Sequence, residues 1–352
     1  MEDNLNANIT PTKSKRSTSF WLAIIFGVAL ALSVLLNIIL FVMVVSKTFS
    51  SAAFSNINSD KRYNEQFVSG NISSNNKILL IQVNGIIMSG SDDGMWGSKI
   101  DPVQMIIDSL EKAETDNNIK AIILEINSPG GTVTASDNIH TALKRFKNKR
   151  PNVSIVAYLG EVAASGGYYI AMPSNRIVVH PTSVTGSIGV IATVLNVEGL
   201  FQKIGLKTEA IKSADKKDML SSTRTMTKEE QAIIQGIIDE LYQRFVDIVV
   251  AGRPNLTKEE IFKLADGRIY TGAQAVKNGL ADKTGDREDA FESAKQLANI
   301  SEAKMIQYKK KYNIFQMFDM SAVIQTPNIV SDLKNIILEK NTPKLLYLWE
   351  ME

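Results

Sequence analysis

An α/β body on a mainly parallel sheet, preceded by one membrane-length helix, is the architecture this sequence predicts, and three observations predict it. A run of 26 residues without a charge spans Phe20–Val45. From Ile78 onward, short apolar runs alternate with helical patterns, which is the signature of βαβ units. Two glycine-bearing turns each follow a predicted strand, at the place where open α/β sheets bind their ligands.

Residues 1–19 form a short polar leader containing Lys13, Lys15 and Arg16. The apolar run at 20–45 follows. At about 1.5 Å per residue it exceeds the roughly 30 Å hydrocarbon core of a bilayer. It is too long for a signal peptide and ends in Val42-Met43-Val44-Val45 rather than in small residues, so an uncleaved transmembrane anchor is expected. The cations after it, Lys47, Lys61 and Arg62, are more dispersed than those before it. The positive-inside rule therefore places the N-terminus in the cytoplasm and the remainder of the chain outside it, at the cell membrane.

Residues 46–76 hold 14 Ser and Asn among 31 positions and lack apolar periodicity, so a flexible linker is expected there. The folded body is expected over 77–300. Ile78–Val83, Ile119–Ile126 and Val153–Leu159 are apolar runs of strand length, separated by the helical patterns Val103–Ala113 and Ser136–Phe146. Thr227 to Glu230 is a capping box, and the helix it opens should carry Ile233, Ile234, Ile237, Ile238, Leu241, Phe245 and Ile248 on one face. A second capping box, Thr257 to Glu260, starts another helix. Residues 301–352 read as a tail, with Lys309, Lys310 and Lys311, weak amphipathic patterning around Ile329–Leu338 and an apolar tip at Leu345–Trp349. A docked tail, an interface helix and a disordered tail all fit that pattern.

Composition removes several kinds of chemistry. A net charge of +2 from 39 basic and 37 acidic residues gives no electrostatic case for nucleic acid. The absence of cysteine excludes disulfides, thiolate zinc sites, iron–sulfur clusters and a cysteine nucleophile. Only two histidines are present, His140 and His180, and neither sits beside a nucleophile motif of the Ser-His-Asp kind.

What remains is the pair of turns, Asn127-Ser-Pro-Gly-Gly131 and Ala163-Ala-Ser165-Gly-Gly-Tyr-Tyr169. In each, a strand ends and a helix begins, which leaves backbone N–H groups free to hold an oxyanion. Glycines beside Ser165 would let a substrate backbone approach closely. Turn geometry alone accounts for either motif singly, but two such turns at the carboxyl ends of adjacent strands are harder to assign to geometry alone. Tyr168, Tyr169, Ile170 and Val190 are candidates for apolar surface near that cleft, with core packing as the competing role.

These turns, together with Thr185-Gly-Ser-Ile-Gly-Val190 and Asp266-Gly-Arg-Ile-Tyr-Thr-Gly272, resemble in order and spacing the motifs of the signal peptide peptidase A family, bacterial membrane serine proteases. The similarity covers roughly 77–298. It implies a fold of the Clp protease and crotonase type, with Ser165 as nucleophile, Lys217 as general base and Ser187 orienting that lysine. It also implies an oxyanion hole from the N–H groups of Gly166 and Gly131, with no metal or organic cofactor. Hydrophobic peptides such as remnant signal peptides are the implied substrates, and a homo-oligomeric ring is the implied assembly.

A lysine base needs dry surroundings, because an amine with an ordinary pKa of about 10.4 is protonated at neutral pH and cannot take a proton from serine. Two departures from the family pattern stand out. Lys216 adjoins Lys217, where the family has glycine and an aromatic residue before its lysine, so Lys216 competes for the role. Glu125 stands where the family often carries a basic residue. Ser213-Ala-Asp-Lys216 and Lys283-Thr-Gly285 also match short strings of penicillin-binding and β-lactamase-like acyl transferases, although no S-D-N element accompanies them. A crotonase-like acyl-CoA enzyme and a non-catalytic membrane scaffold complete the alternatives.

Overall fold

The structure, a computed structural model, describes residues 18–53, 63–90, 92–93, 99–310 and 345–349. The basic residues of the leader, Lys61, Arg62, Lys311 and the Ile329–Leu338 stretch lie outside these residues. The chain divides into two units, Met1–Lys61 and Arg62–Glu352.

The first unit contains helix α1, Thr18–Ala53. Within it the 19 residues Ile24–Val42 have a mean hydropathy of 2.8 and carry no buried side chain, so the helix is long and apolar enough to cross a membrane. It runs eight residues further than the apolar stretch of the sequence, into the region expected to be a flexible linker.

The second unit opens with β1 (Tyr63–Gly70) and β2 (Lys77–Asn84), followed by the two-residue ribbon β3 (Asp92–Asp93) and β4 (Lys99–Ile100). Helix α2 (Pro102–Thr115) starts where the Asp101 carboxylate accepts from the N–H groups of Val103 and Gln104, with proline at the first helical position. Then come β5 (Ile119–Ser128), β6 (Gly130–Thr132), α3 (Val133–Lys149), β7 (Ser154–Ala164) and α4 (Gly166–Ala171). Strands β8 (Arg176–Val179), β9 (Val184–Gly186) and β10 (Ile191–Ala192) lead to α5 (Glu198–Lys203) and a 3₁₀ turn at Asp215–Asp218. Both expected capping boxes are formed, on α6 (Lys228–Gly252) and α7 (Lys258–Leu264). Strand β11 (Ile269–Thr271), α8 (Gly272–Lys277), β12 (Lys283–Thr284), α9 (Arg287–Leu297), β13 (Lys304–Lys310) and β14 (Leu345–Leu348) complete the order.

The main sheet runs β1-β13-β2-β5-β7-β8-β12, parallel except for β1, with β9 parallel to the end of β7 and β11 antiparallel to β9. Alternation along the strands serves two cores. Leu79, Ile81 and Val83 face one core with Ile122, Leu124 and the helices α2, α3, α4 and α6; Ile78, Leu80, Ile123 and Val156 face the other beneath α9. This is the mixed α/β architecture expected.

Two boundaries and one packed face differ from expectation. Strand β1 falls inside the predicted linker, because it is an edge strand in which only Tyr63 is buried, leaving almost no apolar signal. Strand β13 falls inside the predicted tail. Met305, Ile306 and Tyr308 are buried there, but the adjoining lysines disguise the strand. On α6 only the C-terminal half is packed: Phe245, Val246 and Val249 are buried, whereas Ile233 and Ile237 of the predicted apolar face are exposed.

Candidate active site

Ser165 is the single residue between β7 and α4, and the fold holds it at φ 51°, ψ −116°. A non-glycine residue there costs on the order of 1–3 kcal/mol, and such strain collects at functional sites. Two hydrogen bonds enforce it: the Ser165 N–H donates to the Gly186 carbonyl at 2.8 Å, and the Tyr169 N–H donates to the Ser165 carbonyl at 2.9 Å. The hydroxyl is buried, yet Oγ has no hydrogen-bond partner among the described residues. A buried hydroxyl left without a partner on a strained turn is available for a substrate.

The register of β7 with β9 pairs Ala164 with Gly186, so Ser187 lies directly beyond that pair, itself at φ 50° and buried. Ser165 and Ser187 are therefore on neighbouring turns. The Asn127–Gly131 turn arrives from β5 on the other side. Its Gly130 adopts φ +104°, and a Cβ there would stand 2.8 Å from the Gly166 nitrogen; at Gly131 a Cβ would stand 1.9 Å from the Ile87 carbonyl oxygen. Only glycine permits this approach of three backbones. The amide of Gly166, at the first position of α4, has no acceptor within its helix. The two glycine turns thus meet as the sequence suggested.

The strand β14 lies in this cleft. It forms the centre of a small antiparallel sheet, β10-β14-β6, with Leu345 and Leu346 paired to Ala192 and Ile191 on one side and Leu346, Tyr347 and Leu348 paired to Thr132, Gly131 and Gly130 on the other. The Trp349 N–H donates to the Pro129 carbonyl at 2.8 Å. Hydrogen-bonded pairs alternate in an antiparallel ladder, so Tyr347 and Gly131 are the next pair to exchange bonds, and the Tyr347 carbonyl faces the Gly131 N–H. That carbonyl oxygen is 3.1 Å from where a Cβ on Gly166 would stand. An extended peptide with one carbonyl paired to the Gly131 amide and close to Gly166, the residue after Ser165, lies where acyl transfer to serine would need its substrate.

The Tyr347 side chain is fully buried between Tyr169 and Phe245. Around it, the Tyr169 hydroxyl donates to Asp137 Oδ1 at 2.6 Å, and Arg244 Nη2 donates to the same oxygen at 2.7 Å. Burial alone would raise the Asp137 carboxyl, but these two hydrogen bonds outweigh it and hold it below the ordinary range. Burial, helped by Asp137, pushes the Tyr169 phenol well up, so it remains a donor. His140 sits edge-on to Tyr169, and burial lowers its pKa to about 4. His180 instead meets the Thr182 hydroxyl, and neither histidine bonds to Ser165.

Lys217 is elsewhere. It lies on the 3₁₀ turn, exposed, with no ion pair among the described residues, and no hydrogen bond joins it to Ser165. Lys216 beside it pairs with Glu229. The turn itself is fixed: Asp218 accepts from Arg224 Nη2 and from Lys212 Nζ, both at 2.7 Å, and Arg224 also reaches Glu230 at 2.6 Å, the residue that closes the capping box of α6. Hydrogen bonds from Arg224 and the Thr227 amide hold the Glu230 carboxyl down at about 2. Glu125 of β5, the other departure, is a buried carboxylate paired with Arg287 and with Gln82 of β2.

Of the expected site residues, the structure brings together Ser165, Ser187, Gly131 and Gly166 and leaves Lys217 apart. Sequence reasoning missed the roles of Asp137, Arg244 and Tyr347. Tyr169, one of the candidates for apolar surface, lies against the cleft, whereas Tyr168 is core, its hydroxyl donating to the Leu280 carbonyl at 2.7 Å. The apolar tip at Leu345–Trp349 was the signal that could have found β14.

The profile of peptidase family S49 matches residues 147–301. A protein of Enterococcus faecium named as a signal peptide peptidase SppA is 39% identical over 236 residues, which is 67% of this chain and 68% of that one. A protein of Synechocystis sp. named as a protease is 40% identical over 233 residues, 66% of this chain and 78% of that one. The chloroplastic serine protease SPPA of Arabidopsis thaliana is 33% identical over 198 residues, 56% of this chain and 29% of its own length.

Proposed function

From the membership of this chain in peptidase family S49, which makes it a serine protease, we propose that it is a membrane-anchored endopeptidase with a Ser–Lys dyad and that Ser165 is its nucleophile. The observation that carries this reading is β14, an extended segment lying between β6 and β10 with its Tyr347 carbonyl at the Gly131 amide, beside a buried serine hydroxyl without a partner.

In the proposed reaction a neutral lysine takes the proton from Ser165 Oγ as that oxygen attacks the scissile carbonyl carbon. The oxyanion rests on the N–H groups of Gly131 and Gly166, each such donor being worth about 10²–10³ in rate. Collapse expels the amine, which leaves with the proton from the lysine. Water, deprotonated by the same lysine, then cleaves the acyl ester and restores the serine. Ser187, on the turn next to Ser165, orients the amine.

Lys217 is the base we assign, supplied by a neighbouring copy of the chain. Two observations support this: Ser165 Oγ has no hydrogen-bond partner among the described residues, and Lys217 is exposed on a turn fixed by Asp218 and Arg224. The turn's surroundings also bear apolar residues without cover, including Ile204, Leu206 and a fully exposed Ile211. Burial of that surface against a second copy would supply the dry setting a lysine base requires. The assembly is thus a homo-oligomer.

Helix α1 is the proposed anchor, with the N-terminus in the cytoplasm and the catalytic body outside it. The substrates are hydrophobic peptides such as remnant signal peptides. The apolar character of the segment seated in the cleft, Leu345-Leu346-Tyr347-Leu348-Trp349, and the name of the Enterococcus relative support that class. Labelling by a fluorophosphonate in detergent-solubilised full chain tests the assignment. Wild type should label, Ser165→Ala should not, and Lys217→Ala should label far more slowly than Lys216→Ala. Labelling that persists in Ser165→Ala, or loss confined to Lys216→Ala, would reverse the roles.

A further inference from the structure

On the α9 side of the sheet, toward the carboxyl ends of β5 and β7, a cavity of about 530 Å³ is lined by Glu125, Tyr158, His180, Asp286, Arg287 and Glu288. The carboxylates of Asp286 and Glu288 stand at the start of α9, where a helix favours negative charge whether or not a ligand binds. Glu125 and Tyr158 have no such explanation. They are register partners on adjacent parallel strands, 7% and 8% exposed, and both border the cavity. Glu125 is held in place: Arg287 Nε donates to its Oε1 at 3.0 Å, Gln82 Nε2 donates to its Oε2 at 2.9 Å, and Gln307 Nε2 fixes Gln82 in turn at 2.9 Å. Among the described residues Oε2 accepts only the Gln82 bond, and a carboxylate oxygen can accept a second. Beside it, the Tyr158 hydroxyl has no hydrogen-bond partner among the described residues. Burial, with Glu125 and Asp286 adding to it, raises the pKa of that phenol, so it stays neutral and its oxygen can accept. A buried polar group left unsatisfied by its own protein is one a ligand can satisfy.

We infer that this cavity receives a lysine or arginine side chain of the peptide substrate, on the carboxyl side of the scissile bond, with the Glu125 carboxylate and the Tyr158 hydroxyl as its acceptors. The inference rests on the reading of Ser165 as nucleophile. Three carboxylates against one guanidinium favour a cation, and a buried carboxylate is screened less than a surface one. An ammonium or guanidinium group has donors enough to reach both oxygens. The position relative to the cleft gives the side of the bond. Glu125 precedes Gly131 by six residues, so no more than about 22 Å of chain separates them. The ladder pairs Leu346 with Thr132 and Leu348 with Gly130, and the Trp349 N–H reaches Pro129. A peptide in that register, once past Gly131, runs toward the end of β5 and so toward the cavity.

Internally quenched peptides that share one apolar core test this with the full chain in detergent. Lysine, arginine, norleucine or glutamate is placed singly at the third to the eighth residue after the bond cleaved, which mass spectrometry identifies. At the favoured position kcat/KM should be about 5- to 10-fold higher for Lys or Arg than for norleucine, mostly through KM, and lowest for Glu. Tyr158→Phe and Glu125→Gln should each bring the lysine-to-norleucine ratio down toward one, and that ratio is independent of any general loss of rate. Equal values for lysine and norleucine at every position, with Ser165 still labelled by fluorophosphonate, overturn the site and leave the nucleophile standing. So does a lysine preference that persists in both variants, and so does labelled Ser165 without cleavage of any peptide. Failure of both labelling and cleavage removes the nucleophile assignment, and this inference with it.

Discussion

Ser165 and Lys217 occupy opposite kinds of surroundings within one chain. Around Ser165 nearly everything is buried: β5, β7 and β9 deliver three turns to one point, and close backbone contacts allow only glycine at positions 130 and 131. Around Lys217, from Ile191 to about Thr225, side chains are mostly exposed, α5 has no buried residue, and the turn is fixed by ion pairs of Asp218 and Arg224 rather than by a core. Preorganisation of a nucleophile is work one chain's core can do, because strain at Ser165 is held by packing. A lysine base needs the reverse of solvent, and the described residues of one chain leave Lys217 exposed. On the proposed reading, assembly supplies the missing surroundings, which makes activity conditional on contact between copies.

The largest effect should come from the buried side. Gly131→Ala removes a proposed oxyanion donor from its position and drives a Cβ to 1.9 Å from the Ile87 carbonyl oxygen. Peptide hydrolysis should fall by about 10²–10³. A fall of less than threefold would break the idea that the Ser165 side is rigidly preorganised.

The next effect concerns what fills the cleft. A chain ending before residue 345 lacks β14, and a tethered segment competes with substrate at high effective concentration. Cleavage of short peptides should rise on the order of tenfold. An unchanged rate would place β14 outside the substrate's path.

The smallest effect is one of stability and pH. Burial lowers the folded pKa of His140 to about 4, below the ordinary value of 6.5. Its contribution is complete above pH 6.5 and is lost as the pH falls toward 4, because the unfolded imidazole takes up the proton first. At pH 5 the loss should be about 2 kcal/mol relative to pH 7.5. His140→Gln should flatten that slope in denaturant titrations at the two pH values. An equally steep slope in the variant would detach His140 from the buried region's pH response.

The same contrast explains what was legible in the sequence. The central strands were readable because burial on both faces leaves continuous apolar runs such as Ile119–Ile126, and the two capping boxes announce α6 and α7 by their own chemistry. The glycine turns were readable because close backbone approach admits one residue type. Strands β1 and β13 were not, since an edge strand with one buried face and a strand running into lysines give weak alternation. The pocket around Tyr347 was invisible for a different reason. Asp137, Tyr169, Arg244 and Tyr347 come from four separate elements, and nothing in their spacing along the chain relates them.

On the proposed reading, each working site combines Ser165 of one copy with Lys217 of another. Co-assembling Ser165→Ala with Lys217→Ala in equal amounts tests it, since each variant retains what the other has lost. If sites are shared between copies, peptide hydrolysis should recover to about a quarter of the wild-type rate in a random mixture. Activity that stays at the level of the inactive parents, in assemblies shown to contain both variants, would contradict it.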